Sequence, residues 1–148
     1  MAVDPRSEGN IETLKAEVQV LARRLIETAV AQGINVKIIG GSRTYAEQND
    51  LYAQGRTKPG KIVTKAKGGQ SWHNFGMAFD IGIFSEDGKK YYGEHKDYER
   101  CGKIGEAMGL EWGGRWEFVD EPHFQYNPKG HSLATVREKH ESGENLFA

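Results

Sequence analysis

One cysteine, Cys101, is all that the 148 residues contain, so an internal disulfide framework is excluded. Long apolar runs are missing as well. No stretch approaches the length needed to span a bilayer, and stable membrane insertion is therefore not expected. The first residues, Met1-Ala2-Val3-Asp4-Pro5-Arg6, lack the charged-then-apolar profile of a secretory signal. Synthesis in the cytoplasm follows, with outside help needed for any export. An excess of one charge is also absent: 20 Lys and Arg face 21 Asp and Glu, a formal net charge of -1. This balance excludes an extended acidic tail and a continuous basic face for nucleic acid. There is no internal repeat and no low-complexity tract.

What is present describes one folded domain, residues 1–148, long enough to bury a single core and expected to be monomeric. Ile11, Leu14, Val18, Leu21, Leu25 and Ala29 recur every three or four positions, which predicts an amphipathic helix from Ile11 to Gln32 capped at Gly33. Val36-Lys37-Ile38-Ile39 reads as a short buried strand ending at Gly40-Gly41. Thr44 with Glu47 forms a capping-box pattern, so Tyr45 to Gln54 is expected to be helical with Leu51 and Tyr52 turned inward. Arg43 then lies at a strand-to-helix junction.

Gly55 to Gln70 is rich in Lys, Arg and Gly and predicts a long mobile surface loop. Its lysines at 58, 61, 65 and 67 keep it solvated, or else attract an anionic glycan. Met77, Phe79, Ile81 and Ile83 alternate with Ala78, Asp80, Gly82 and Phe84, a strand with Asp80 on the face away from the main apolar set. A turn at Asp87-Gly88 leads into a second strand at Tyr91-Tyr92, and Asp97 to Met108 predicts a helix in which Cys101 is a small buried residue. Leu110 to Trp112, Phe118-Val119 and His123 to Tyr126 read as short strands, and His131 to His140 as a last helix with a frayed tail after 140. The fold class is α+β: a small, mainly antiparallel sheet with helices packed on one side, and any metal site on the open face.

Two of the five histidines stand in distinctive surroundings, His73 in Ser71-Trp72-His73-Asn74-Phe75-Gly76 and His123 in Asp120-Glu121-Pro122-His123-Phe124. Adjacent parts of one sheet can bring His73, Asp80 and His123 to a common point. Two imidazoles and one carboxylate suit a catalytic zinc ion with a fourth position left for water. From spacing alone, a histidine beside aromatic residues is more often a hydrogen-bonded packing residue than a ligand. A zinc site needs a general base beyond its ligands, and Asp120 and Glu121 both lie near His123. The odd step from Asp120 to His123 separates them on an extended strand, so it requires a turn or bulge near Pro122.

The blocks Ser42-Arg43-Thr44 with Gln48-Asn49-Asp50-Leu51-Tyr52, Ser71 to Ile81, Trp112-Gly113-Gly114 and Asp120 to Phe124 together carry a family resemblance. Covering roughly residues 35 to 126, they resemble the zinc D-alanyl-D-alanine carboxypeptidase and L-alanyl-D-glutamate endopeptidase family. Its pattern is Ser-x-His, six residues, Asp, and later Asp or Glu-x-x-His. The resemblance implies Zn2+ on His73, Asp80 and His123, with Asp120 as catalytic acid and base. Glu121 is the rival base, and Arg43 is implied to stabilise the oxyanion or anchor a substrate carboxylate. Ser71 is either a support for the site or a capping hydroxyl; Trp72, Phe75 and Phe79 are read as core. Glu117, His95, His131 and His140 are read as surface residues. The implied substrate is the peptidoglycan stem peptide, cut between L-alanine and D-glutamate as in phage endolysins and autolysins. The alternatives are a D-alanyl-D-alanine carboxypeptidase and a noncatalytic wall-binding module whose zinc only fixes the fold.

Overall fold

In the computed structural model, residues 3–148 are described; Met1 and Ala2, part of the segment read as lacking signal character, lie outside them. The helix expected from Ile11 to Gln32 is divided. Asp4 accepts a hydrogen bond from Ser7 N, and Pro5 occupies the first turn, so α1 (Pro5–Ile11) starts well before the apolar period does. After a break at 12–15, α2 runs Ala16–Ala31. The apolar period continues across the break: Ile11, Leu14, Val18, Leu25 and Ala29 are buried, while Leu21 is only half-buried and Ala22 beside it is the residue turned fully inward. What breaks the helix is competition for its backbone. Lys15 N donates to Gly76 O (3.0 Å), Thr13 Oγ1 accepts from Ser42 N (2.8 Å), and Ser42 Oγ donates to Thr13 O (2.7 Å). The break therefore cradles the corner that follows the first strand.

That strand is β1 (Val36–Gly40), and it pairs antiparallel with β2 (Ala78–Phe84). The sheet continues from β2 to β5 (His123–Gln125) and then β4 (Glu111–Trp112), while β3 (Tyr91–Tyr92) pairs with the far end of β2. Every strand pairing within this sheet is antiparallel. Phe118-Val119 forms no strand; the two side chains are 76% and 65% exposed, because the segment bulges outward between β4 and β5.

Helix α3 (Tyr45–Ala53) carries the capping box formed by Thr44 and Glu47. Its buried residue is Gln48, not Leu51 or Tyr52, which are only half-buried. Helix α4 (Asp97–Ala107) ends as Gly109 turns left-handed, and α5 (Leu133–Glu141) is capped by Ser132. Helices α1, α2 and α4 cover one face of the sheet, and Val36, Ile38, Phe79, Ile81, Ile83 and Phe124 meet them there. Phe79 and Phe124 stack across β2 and β5 with centroids 5.6 Å apart. A second cluster, Phe75, Met77, Val136 and Leu146, ties α5 to the segment before β2. Beyond residue 140, where fraying was expected, Leu146 is buried in this cluster and Phe147 packs beside it.

The connection from 55 to 70 has no regular secondary structure, yet it is tethered. Gln48 Nε2 donates to Ala66 O (2.9 Å), Gln54 Nε2 to Lys61 O (3.0 Å), and Gly68 N to Asn49 Oδ1 (2.8 Å). The buried amide of α3 thus shapes the loop from inside.

Candidate metal centre

His73 lies on a short 3-10 turn, Trp72–Phe75, started by Ser71, whose Oγ accepts from His73 N (3.3 Å). The capping reading of Ser71 is the one the geometry carries. Asn74 ties the turn down on both sides: its Oδ1 accepts from Gly69 N (3.0 Å) and its Nδ2 donates to Arg43 O (3.0 Å). Gly76 ends the turn at φ 71°, where a Cβ would also meet Lys15 N at 3.1 Å, so the position is restricted to glycine twice over. The chain then enters β2, and Asp80 points away from the Phe79 side of the sheet. His123 is the direct partner of Asp80 across the β2–β5 ladder.

The three side chains converge. His73 Nε2 is 3.4 Å from Asp80 Oδ2, His123 Nδ1 is 3.6 Å from Asp80 Oδ1, and ligand atoms of all three lie within 4.8 Å of one another. Both rings are buried, at 4% and 6% exposure. These separations are long for hydrogen bonds. The two contacts to Asp80, one on each carboxylate oxygen, are near the ligand–ligand separation of a tetrahedral site, about 3.3 Å when metal–ligand bonds are about 2.0–2.1 Å. The opposite ring nitrogens are occupied: His73 Nδ1 is 3.0 Å from Gly41 O, and His123 Nε2 is 2.8 Å from Gln125 Oε1. Gly41 belongs to the corner cradled by the α1–α2 break, so that break indirectly orients His73. The donor set and its spacing fit a zinc ion.

Burial pushes Asp80 toward the neutral acid, but the His123 and His73 rings against it outweigh burial and hold its carboxyl well below the usual range. Burial likewise opposes charge on His123, and Asp80 reverses that, raising its basicity. The turn required near Pro122 is present: His123 N donates to Asp120 O (3.1 Å), which folds Asp120 back beside the ring. Asp120 Oδ2 is 4.0 Å from His123 Nδ1, and its side chain is half-exposed. Burial pushes its carboxyl above the ordinary value, and Asp80 adds to this against the pull of His123, His73 and Arg43. Glu121 does not line the cleft; its backbone carbonyl accepts from Trp112 Nε1 (2.8 Å) and so anchors the turn. The geometry separates the two rival carboxylates.

Arg43 reaches the site from the junction before α3. Its NH2 lies 3.4 Å from Asp80 Oδ2 and its NH1 donates to Gln48 Oε1 (3.2 Å). A cleft of about 440 Å³ opens over the cluster, lined by Arg43, Val63, Thr64, Trp72, Trp116 and Asp120 beside the three candidate ligands. Lys65 Nζ sits 4.7 Å from the centre of the exposed Phe118 ring, joining the long loop to the β4–β5 connection. Phe75 and Phe79 are fully buried, whereas Trp72 is half-buried and faces the cleft. His140 is half-buried, 5.2 Å from the Phe75 ring, and His131 Nε2 is a buried atom without a partner, so neither is a simple surface histidine. Reading the sequence missed Trp116, whose ring centre is 4.8 Å from that of His123, and Gln125. Gln125 had a signal: it is two residues from His123 on a strand and so shares its face.

Comparison with known proteins places the chain among peptidoglycan peptidases. Residues 64–126 match the family described as D-alanyl-D-alanine carboxypeptidase. The chain is 41% identical over 116 residues to the peptidoglycan L-alanyl-D-glutamate endopeptidase CwlK of Bacillus subtilis, covering 72% of this chain and 70% of that protein. It is 30% identical over 142 residues to the L-alanyl-D-glutamate peptidase of Listeria phage A118, covering 88% of this chain but only 44% of the phage protein. Among solved structures, the Serratia marcescens L-Ala D-Glu endopeptidase ChiX aligns over 82% of this chain and 86% of its own, with a TM-score of 0.61 and 22% identity. A vancomycin-resistance D,D-pentapeptidase in complex with Zn(II) aligns over 90% of this chain and 81% of its own, with a TM-score of 0.57 and 16% identity. The chain belongs to the D-alanyl-D-alanine carboxypeptidase and L-alanyl-D-glutamate endopeptidase family of metallopeptidases.

Proposed function

We propose that this chain is a zinc-dependent L-alanyl-D-glutamate endopeptidase that cuts peptidoglycan stem peptides, as an endolysin or autolysin causing cell lysis. The observation that carries the reading is the His73–Asp80–His123 cluster, whose ligand atoms lie within 4.8 Å of one another, with the Asp120 carboxylate beside it in an open cleft. The identity with CwlK and the phage peptidase supports the bond chosen. Residues 1–148 act as one catalytic domain and as a monomer on the wall. Balanced charge supports a protein that engages no nucleic acid, and no helix among the described residues is long and apolar enough to cross a membrane.

His73 Nε2, Asp80 and His123 Nδ1 would hold the metal. Zinc, when bound, supplies Lewis acidity that polarises the scissile carbonyl and makes a water nucleophilic near neutral pH. Asp120 takes a proton from the attacking water as its oxygen bonds to the carbonyl carbon. It returns that proton to the leaving nitrogen as the C–N bond breaks, giving a carboxylic acid and an amine; the acid's remaining proton passes to the amine, leaving a carboxylate and an ammonium. Its half-buried carboxyl, with a pKa raised by burial, suits both halves of this exchange. Arg43, permanently charged and held in place by Gln48, stabilises negative charge developing on the carbonyl oxygen or anchors a substrate carboxylate.

The test is digestion of purified peptidoglycan with and without chelator, followed by mass spectrometry. Zinc-restorable cleavage that exposes a D-glutamate amino terminus is expected. Release of free D-alanine alone would assign the chain to terminal trimming, the reading favoured by the family description. Tight zinc binding without any cleavage would leave a binding module.

A further inference from the structure

We infer that Gln125 and Glu111 are positioning residues that fix the ring tautomer and orientation of His123 through a hydrogen-bonded relay; the inference rests on the zinc reading above. The register of the sheet builds the relay. Asp80 pairs with His123 across β2 and β5, and Glu111 pairs with Gln125 across β5 and β4. Because His123 and Gln125 are two residues apart on one strand, all four side chains fall on the cleft face. Gln125 Oε1 lies 2.8 Å from His123 Nε2, and Gln125 Nε2 donates to Glu111 Oε2 at 3.1 Å.

The direction of each bond follows from donor chemistry. A carboxylate only accepts, so the amide NH2 of Gln125 must face Glu111 and its carbonyl must face His123. A carbonyl also only accepts, so the proton of neutral His123 must sit on Nε2. The lone pair is then on Nδ1, the atom 3.6 Å from Asp80 Oδ1 and turned toward His73. Glu111 thereby selects, through an intervening amide, which nitrogen of His123 is free to bind metal. Packing alone does not account for a glutamine at 3% exposure on a short strand, since an apolar side chain would fill that space without a desolvation cost. The other imidazole is set differently: His73 Nδ1 meets a backbone carbonyl, Gly41 O, which no side-chain substitution removes. The site thus has one main-chain anchor and one side-chain anchor, and only the second can be deleted cleanly.

The experiment uses the full chain and three readouts: zinc affinity by chelator competition, the 15N signature of His123 in the metal-free protein, and metal-free melting temperature. Q125L is expected to bind zinc about 10–100-fold more weakly and to lose its preference for Nε2–H, while still folding. In E111Q/Q125E the carboxylate stands at position 125 and accepts from both neighbours, so affinity is expected to return to within a fewfold of wild type. That rescue distinguishes orientation from simple packing. Wild-type affinity in Q125L, or an unchanged Nε2–H tautomer in it, would overturn the relay while leaving the zinc reading intact. Should Q125L fail to fold, a folded E111Q/Q125E that binds zinc as weakly as a ligand deletion would overturn it instead. Failure of the wild-type chain to bind zinc would overturn the zinc reading, and the relay with it.

Discussion

Replacing Gly102 by alanine tests how the helical layer governs the turn that carries Asp120 and His123. In an ordinary helix interior the change stabilises by about 1 kcal/mol. Here the added Cβ would lie 2.3, 2.4 and 2.6 Å from three atoms of the Trp112 ring, against a normal carbon contact of about 3.5–4.0 Å. The ring must retreat by about 1 Å, and it has nowhere to go. Gly114 presses the indole as well, with a Cβ there falling 2.2 Å from it, and Nε1 is committed to Glu121 O. Overpacking of this kind costs about 1–3 kcal/mol, and this contact belongs at the upper end. Net destabilisation of roughly 2 kcal/mol lowers the melting temperature by about 4–8 °C. Gly9 in α1 is the control. A Cβ there meets nothing within 4 Å, so G9A is expected to raise the melting temperature by about 2–4 °C. Because Trp112 holds the carbonyl of Glu121, G102A also displaces the turn that carries Asp120 and His123, and turnover should fall even well below the melting range. The reasoning is refuted if G102A melts with G9A above the wild type, or if it melts lower with undiminished activity on peptidoglycan.

Other expectations concern the chemistry directly. D120N should keep wild-type zinc affinity and lose about 10²–10⁴-fold in turnover, measured on soluble stem peptides; full activity would remove Asp120 from the mechanism. Zinc at a thousandfold excess over its Kd should stabilise the chelator-treated protein by about 4 kcal/mol, raising its melting temperature by about 8–16 °C. D80N should abolish that rise. At the alkaline end, burial pushes the Cys101 thiol from its ordinary 9.0 up to about 12, with Asp97 adding to the effect. A raised folded pKa means that stability is complete below pH 9.0 and is lost as pH climbs toward 12, because only the unfolded thiol ionises in between. Chemical melts should therefore show stability falling across that interval by up to about 1.4 kcal/mol per pH unit from this group, and C101A should flatten the fall.

The strand positions and the capping box were legible because both rest on local rules. Alternation in β2 put Asp80 opposite Phe79 and Ile81, and Thr44 with Glu47 started α3 where the pattern said. The α1–α2 break was not legible, since Ile11 and Leu14 keep the apolar period while Ser42 and Gly76, far along the chain, take the backbone bonds. Phe118 and Val119 looked like a strand because β-formers in an exposed connection carry the same composition as β-formers in a sheet. The family spacing alone favours Asp120 over Glu121; how the turn at Pro122 folds Asp120 back was not legible, because it depends on a tryptophan bond that no spacing reveals.

The alternation of β2 and β5 has a consequence for how sequence changes in this protein would show themselves. On each of these strands odd and even positions report to different masters. Phe79, Ile81 and Phe124 face the helices, so damage there would appear as poor yield and lowered melting. Asp80, His123 and Gln125 face the cleft, so damage there would appear as soluble, well-folded protein with failing chemistry. A saturation scan read out separately for abundance and for lysis would alternate residue by residue between the two assays. Within either strand, the parity of the substituted position would then tell a folding defect from a chemical one.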